Sequence, residues 1–227
     1  MTWAESLAGA HPGSHVPPAG VHALTPAYDL LVRLTMPERR FRQAVLDAAQ
    51  LRPGMRVLDV GCGTGSLLVM AARQEPECRL TGADPDTRSL EIARVKAAKH
   101  GARVAWIEAS AADLPFPDAS FDVALSTLAL HHVLPEERGP ALREIRRVLA
   151  PGGTFHLLDF GIPSDRLMRW MSKLMTLTEG REFVRDLLEG RVPQLVMDAG
   201  FADATQHPPI RTPFGTLRLV SARVTPP

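Results

Sequence analysis

Gly61, Gly63 and Gly65 stand at alternating positions just after Asp59-Val60, where a short apolar run gives way to a helical pattern. Glycines so spaced let the main chain turn tightly and pass close to a ligand, because no Cβ intervenes. The N–H groups of such a turn, at a helix start, can face a carboxylate or a phosphate. The dinucleotide fingerprint has its third glycine one place later, where this chain has Ser66, so the spacing argues against NAD. Alone, the turn is equally a tight strand-to-helix corner. A second acid adds weight: Asp84 ends the next apolar run, 25 residues after Asp59. A carboxylate there can accept hydrogen bonds from both hydroxyls of a ribose. The competing role, capping the next helix, suits Asp86 better.

Proton chemistry has fewer candidates. His131 and His132 follow an apolar run, and imidazole titrates close enough to neutrality to accept a proton. They serve either as a base or to shape the loop. A metal between them is disfavoured, since adjacent side chains in an extended segment point apart and no carboxylate partner is fixed by spacing. Tyr28, the only tyrosine, either helps close a pocket or caps the edge of the core. Leu167, Trp170, Met171, Leu174 and Met175 form an apolar stripe that reads first as core and second as a partly exposed cap. Arg143, Arg146 and Arg147 read as the solvated face of their helix.

The elements that position these residues follow from periodicity. Helical spacing predicts helices over 38–51, 67–73, 87–99, 136–149, 164–178, 181–188 and 192–199. Short apolar runs bounded by turn residues predict strands over 55–60, 79–83, 103–108, 121–126, 154–159, 202–207 and 216–224. Strands alternating with helices imply an α/β fold, a Rossmann-like, doubly wound, mostly parallel sheet of about seven strands. The two late strands, with no full helix between them, predict a terminal antiparallel hairpin. Residues 1–24, rich in Ala, Gly, Pro and His, read as a flexible arm able to form a lid with the segment around Tyr28; 25–227 is one domain with a helical cap at 162–190.

Val57-Leu58-Asp59-Val60-Gly61-Cys62-Gly63-Thr64-Gly65, Gly82-Ala83-Asp84-Pro85-Asp86, Ala111-Ala112-Asp113-Leu114-Pro115-Phe116 with Phe121-Asp122-Val123, and Arg147-Val148-Leu149-Ala150-Pro151-Gly152-Gly153 stand in order along the chain. Together they resemble the motifs of class I S-adenosylmethionine (SAM)-dependent methyltransferases, in particular the group with the quinone-biosynthesis C-methyltransferases. The resemblance is strong over about 26–161 and loose beyond. It implies SAM as cofactor. Gly61, Gly63 and Gly65 would lie against its amino-acid end, Asp59 near its ammonium, and Asp84 on its ribose. Asp113 would meet the adenine amino group, with Ala112 donating from its backbone. Tyr28, Cys62, Pro85, Leu114 and Ser126 complete the expected cofactor contacts, and His131, His132 and Tyr28 the catalytic set.

Composition narrows the partners. Lys and Arg (26) balance Asp and Glu (25), so no overall field favours a nucleic acid or an anionic membrane. Cys62 and Cys78 alone support neither a disulfide framework nor a four-ligand zinc site, which points to a reducing cytoplasm. No apolar run approaches the roughly 20 residues needed to span a bilayer. The expectation is a cytoplasmic enzyme, monomer or homodimer, without stable membrane insertion, that methylates a small molecule, quinol-like, aromatic or a secondary metabolite. The alternatives are a phospholipid-headgroup N-methyltransferase and a non-catalytic SAM-binding protein.

Overall fold

The computed structural model describes residues 38–178 and 181–225, with side chains over that range except 174–178 and 181–183. Tyr28, the arm 1–24 and the lid built from them lie outside the described residues, as do the side chains of Leu174 and Met175. Helix α1 (Glu38–Ala49) buries Phe41, Val45, Leu46 and Ala49 at helical spacing. There follow β1 (Arg56–Val60), α2 (Ser66–Gln74), β2 (Arg79–Asp84), α3 (Thr87–Lys99), β3 (Val104–Glu108) and β4 (Phe121–Thr127). A 3-10 turn, Leu130–His132, precedes α4 (Pro135–Val148) and β5 (Leu149–Phe160). The remainder is α5 (Arg166–Thr178), α6 (Arg181–Leu188), α7 (Val192–Asp198), β6 (Ala202–Gln206), β7 (Ile210–Thr212) and β8 (Gly215–Arg223).

The strands form one sheet in the order β3-β2-β1-β4-β5-β8-β6, with β7 also on β8. Strands β1 to β5 are parallel, and β8 runs antiparallel between β5 and β6. The order reverses between β1 and β4, the crevice where open α/β sheets bind ligands. Buried Leu58, Phe116, Leu142, Phe155 and Phe201 fill one side, and Phe41, Val57, Leu68, Leu90 and Leu158 the other. Each such side chain contributes roughly 1.5–3 kcal/mol of burial.

Several elements differ from expectation. The terminal hairpin carries an extra strand: β6 and β7 are two halves of one edge strand along β8. Pro208-Pro209 separates them, because proline has no N–H to give the ladder. Strand β5 begins before Pro151-Gly152-Gly153, which is absorbed as a register irregularity against β4 rather than standing free as a turn. Gly152, at φ 77, and Gly153 bond Val224 beyond the end of β8. The histidines are not in extended chain, and the short 3-10 turn leaves His131 buried and His132 exposed. On α5 the visible part of the stripe is a partly exposed face: Leu167 is 55% and Trp170 63% exposed and Met171 is half-buried, while Met168 and Ser172 are buried.

Candidate active site

Asp59, the penultimate residue of β1, lies on the side of the sheet that α1 covers and is 2% exposed. Its Oδ1 and the Oγ1 of Thr127 are buried without a hydrogen-bond partner among the described residues. Thr127 lies two residues past Leu125, which pairs with Asp59 across β1 and β4, so both oxygens face the same side. Burial pushes the Asp59 carboxyl up to about 8, with Arg42 drawing it down and Asp84 raising it further. A buried acceptor without a donor costs about 1–3 kcal/mol. A bound ammonium would relieve that cost and restore the ionised form.

The glycine turn begins next. Gly61 and Cys62 both donate to the Ala83 carbonyl, at 2.8 and 3.1 Å, which ties the turn to β2. At Gly61, φ 71, a Cβ would lie 2.3 Å from that of Ala129; at Gly65, φ 71, it would lie 2.3 Å from the Trp106 ring. These two glycines are therefore required by protein neighbours. Gly63, at φ 50, has nothing among the described residues within 4 Å of a built Cβ, so of the three it is the one whose Cβ side they leave open. Its N–H donates to Asp84 Oδ2 at 2.7 Å, and the other Asp84 oxygen accepts from Asp86 N at 2.9 Å. A carboxylate is acceptor-only and each of its oxygens takes more than one donor, the chemistry that ribose hydroxyls require. Asp86 is the cap of α3, accepting from Arg88 N and Ser89 Oγ. Cys62 is a buried thiol pushed up by burial and by Asp59 and Asp84, which keeps it neutral, and Pro85 is exposed.

The loop after β3 carries the expected adenine contacts. Ala112 N reaches Ser110 Oγ at a long 3.3 Å, Asp113 N donates to Ser110 O at 3.1 Å, and the Asp113 side chain is exposed. Buried Leu114 donates its N–H to Glu144 Oε2 at 3.1 Å. Arg147 then corrects the solvated-face reading. It bonds the carbonyls of Phe116 at 2.7 Å and Leu114 at 2.9 Å, while Glu144 and Asp118 neutralise it. Arg146 likewise donates to Gly200 O at 2.8 Å. These cations therefore tie loops to α4. Helical phase placed them outward; the carbonyls they reach are remote in sequence.

At the ends of β4 and β5 lies the feature that sequence reading missed. Asp159, 1% exposed, accepts from His131 Nδ1 at 2.8 Å and from its backbone N at 3.1 Å. Burial alone would raise the Asp159 carboxyl, but the charge and hydrogen bond of His131, with the N–H groups of Phe160 and His131, hold it below the usual carboxylate range. An ionised carboxylate only accepts, so His131 donates through Nδ1, which leaves Nε2 as the nitrogen that can exchange a proton. The imidazole meets the Phe160 ring edge-on at 5.3 Å and the His132 ring at 4.0 Å. Leu128, at φ 56, turns the chain between β4 and this site, and Ser126 is buried two residues earlier, within β4. Arg138, 0% exposed, donates to Val133 O at 3.2 Å and Asp186 at 3.3 Å, joining the histidine turn to α6. No cluster of metal-ligand side chains occurs among the described residues.

The family described as a methyltransferase domain matches residues 57–153. An uncharacterized methyltransferase of Synechocystis is 30% identical over 188 residues, covering 82% of this chain and 84% of that protein. The chain belongs to the class I SAM-dependent methyltransferases. Within that family it is 39% identical over 142 residues to a demethylmenaquinone methyltransferase of Thermus thermophilus, covering 62% of this chain. This methyltransferase chain spans only 64% of the length of the Thermus protein in that match. Among solved structures it is similar to the [4+2]-cyclase SpnF, with TM-score 0.65, 25% identity, and coverage of 83% of this chain and 81% of that one. The family's cofactor fits this site on its own geometry: an orphaned buried carboxylate oxygen for a cation, an open glycine turn, and an acid at the adjoining strand end.

Proposed function

We propose that this protein transfers a methyl group from SAM to a small-molecule acceptor, and that the acceptor is quinol-like. The observation that carries the reading is the buried, unpartnered Asp59 oxygen at the glycine turn, with Asp84 engaged on the same turn. Asp59 and Thr127 would hold the ammonium end, Gly63 the open wall beside it, Asp84 the ribose, and the Ala112–Leu114 loop the adenine. When bound, SAM supplies an electrophilic methyl on a positively charged sulfur. His131 Nε2 takes the proton that an acidic acceptor oxygen or carbon gives up as its new bond to the methyl forms, and Asp159 stabilises the imidazolium. Proximity and orientation contribute much of the remaining rate enhancement. The quinol preference is supported by the similarity to the Thermus demethylmenaquinone methyltransferase.

The test is incubation with SAM and a panel of quinols, phenols, thiols, amines and lipids, reading S-adenosylhomocysteine. Product with the quinols supports the reading, and product with amines alone removes both the acceptor assignment and the need for a base. A second reading, a SAM-binding protein that transfers no methyl, draws on the similarity to a [4+2]-cyclase. It predicts SAM binding without S-adenosylhomocysteine for any acceptor. Asp84→Ala is expected to weaken SAM binding by about 1.5–3 kcal/mol, measured by calorimetry.

A further inference from the structure

The outward face of α5 has a chemistry of its own. Arg166, Leu167, Arg169, Trp170 and Lys173 are exposed at helical spacing, while Met168 and Ser172 face inward. Between 162 and 178 the sequence holds three bases and one acid, Asp165, which is paired with Arg211 at 3.2 Å. Arg166 and Arg169 make no ion pair among the described residues. Exposed Ile162 extends the apolar strip just before the helix. The chain as a whole is near neutral, so this is a local basic patch laced with a large aromatic and an aliphatic side chain. A solvated helix has no use for a Trp that is 63% exposed, and a core helix would not place its cations around one.

We propose that α5 is a docking face for the surface of an anionic phospholipid bilayer. Arg166 and Arg169, three residues apart on the exposed face, match the negative headgroups, and Leu167 and Trp170 enter the headgroup–acyl boundary, where an indole is favoured. The docking is peripheral, since no helix of the described residues is long and apolar enough to cross a membrane. The location is apt: the inner Ser172 sits over Gly215, which adjoins Phe160, and the Phe160 ring touches His131. Docked in this way, the protein receives a lipid-soluble acceptor at the His131 end of the sheet.

The experiment is co-sedimentation of the full-length protein with vesicles of phosphatidylcholine, alone or mixed with phosphatidylglycerol. Binding to the mixed vesicles, absent with phosphatidylcholine alone and lost at high salt, is expected. Leu167→Ser with Trp170→Ser, and separately Arg166→Glu with Arg169→Glu, should each cut the bound fraction about tenfold. Circular dichroism and SAM affinity should stay at parental values in both variants. The proposal is overturned by parental protein that ignores phosphatidylglycerol, by variants that bind as the parent does, or by a dimer that the Trp170 variant dissolves. SAM calorimetry is read separately, so loss of vesicle binding and loss of the transferase reading are distinct results.

Discussion

Asp59 sets the sharpest residue-scale expectation. Its carboxyl, ordinarily ionised above pH 4, sits at about 8 because it is buried beside Asp84. The folded chain therefore holds a proton that the unfolded chain has released, so this group lowers the stability of the cofactor-free protein progressively as pH rises from about 4 to 8. Binding an ammonium requires the ionised form, so SAM affinity should rise with pH up to about 8, with proton release at neutral pH. Calorimetry in buffers of different ionisation enthalpy reads that proton directly; a heat independent of buffer argues against the linkage. Asp159 acts in the opposite sense. Its depressed carboxyl stabilises the folded chain above the unfolded value near pH 4 and loses that contribution as pH falls further. Asp159→Asn removes the ionised acceptor that fixes the His131 tautomer. It should lower kcat by about 100-fold or more and alter the pH–rate profile while SAM affinity holds. A profile unchanged in shape would make Asp159 merely structural.

The elements hold these residues through remote bonds. Arg147 on α4 fastens the Leu114–Asp118 loop by two carbonyls, so Arg147→Ala is expected to cost about 1–3 kcal/mol in denaturant unfolding and to loosen adenosine binding. Loss of neither would mean the loop is held by Leu114 and Phe116 packing alone. Strands β5 and β8 are joined by His156, whose Nδ1 lies 2.8 Å from Ser221 Oγ, itself 2.7 Å from His207 Nε2. Burial, with the charge of His207, lowers His156 to about 4. The unfolded chain binds that proton near 6.5, so stability present above it should fall by up to about 3 kcal/mol between pH 6.5 and 4. Urea unfolding of His156→Gln should show a shallower decline over that range, and a parallel decline would assign the acid lability elsewhere.

At the scale of the molecule, strand and helix order, the glycine turn and the acids at the ends of β1 and β2 were legible in the sequence. Each is a local matter, of hydrophobic period, of residues able to take φ near 70, and of acids at strand ends. The tertiary structure alone decided that β8 inserts between β5 and β6, because strand order depends on which edges meet rather than on the pattern of any strand. It alone brought Asp159 onto His131, 28 residues away, and turned Arg147 from solvent to carbonyls. Helical period likewise located the stripe on α5 without fixing its phase: which side faces inward was settled by the docking of Met168 and Ser172 on β8, which left Leu167 and Trp170 outside. Short-range pattern specifies elements; partnerships between distant residues arise only when the folded chain brings them within reach of one another.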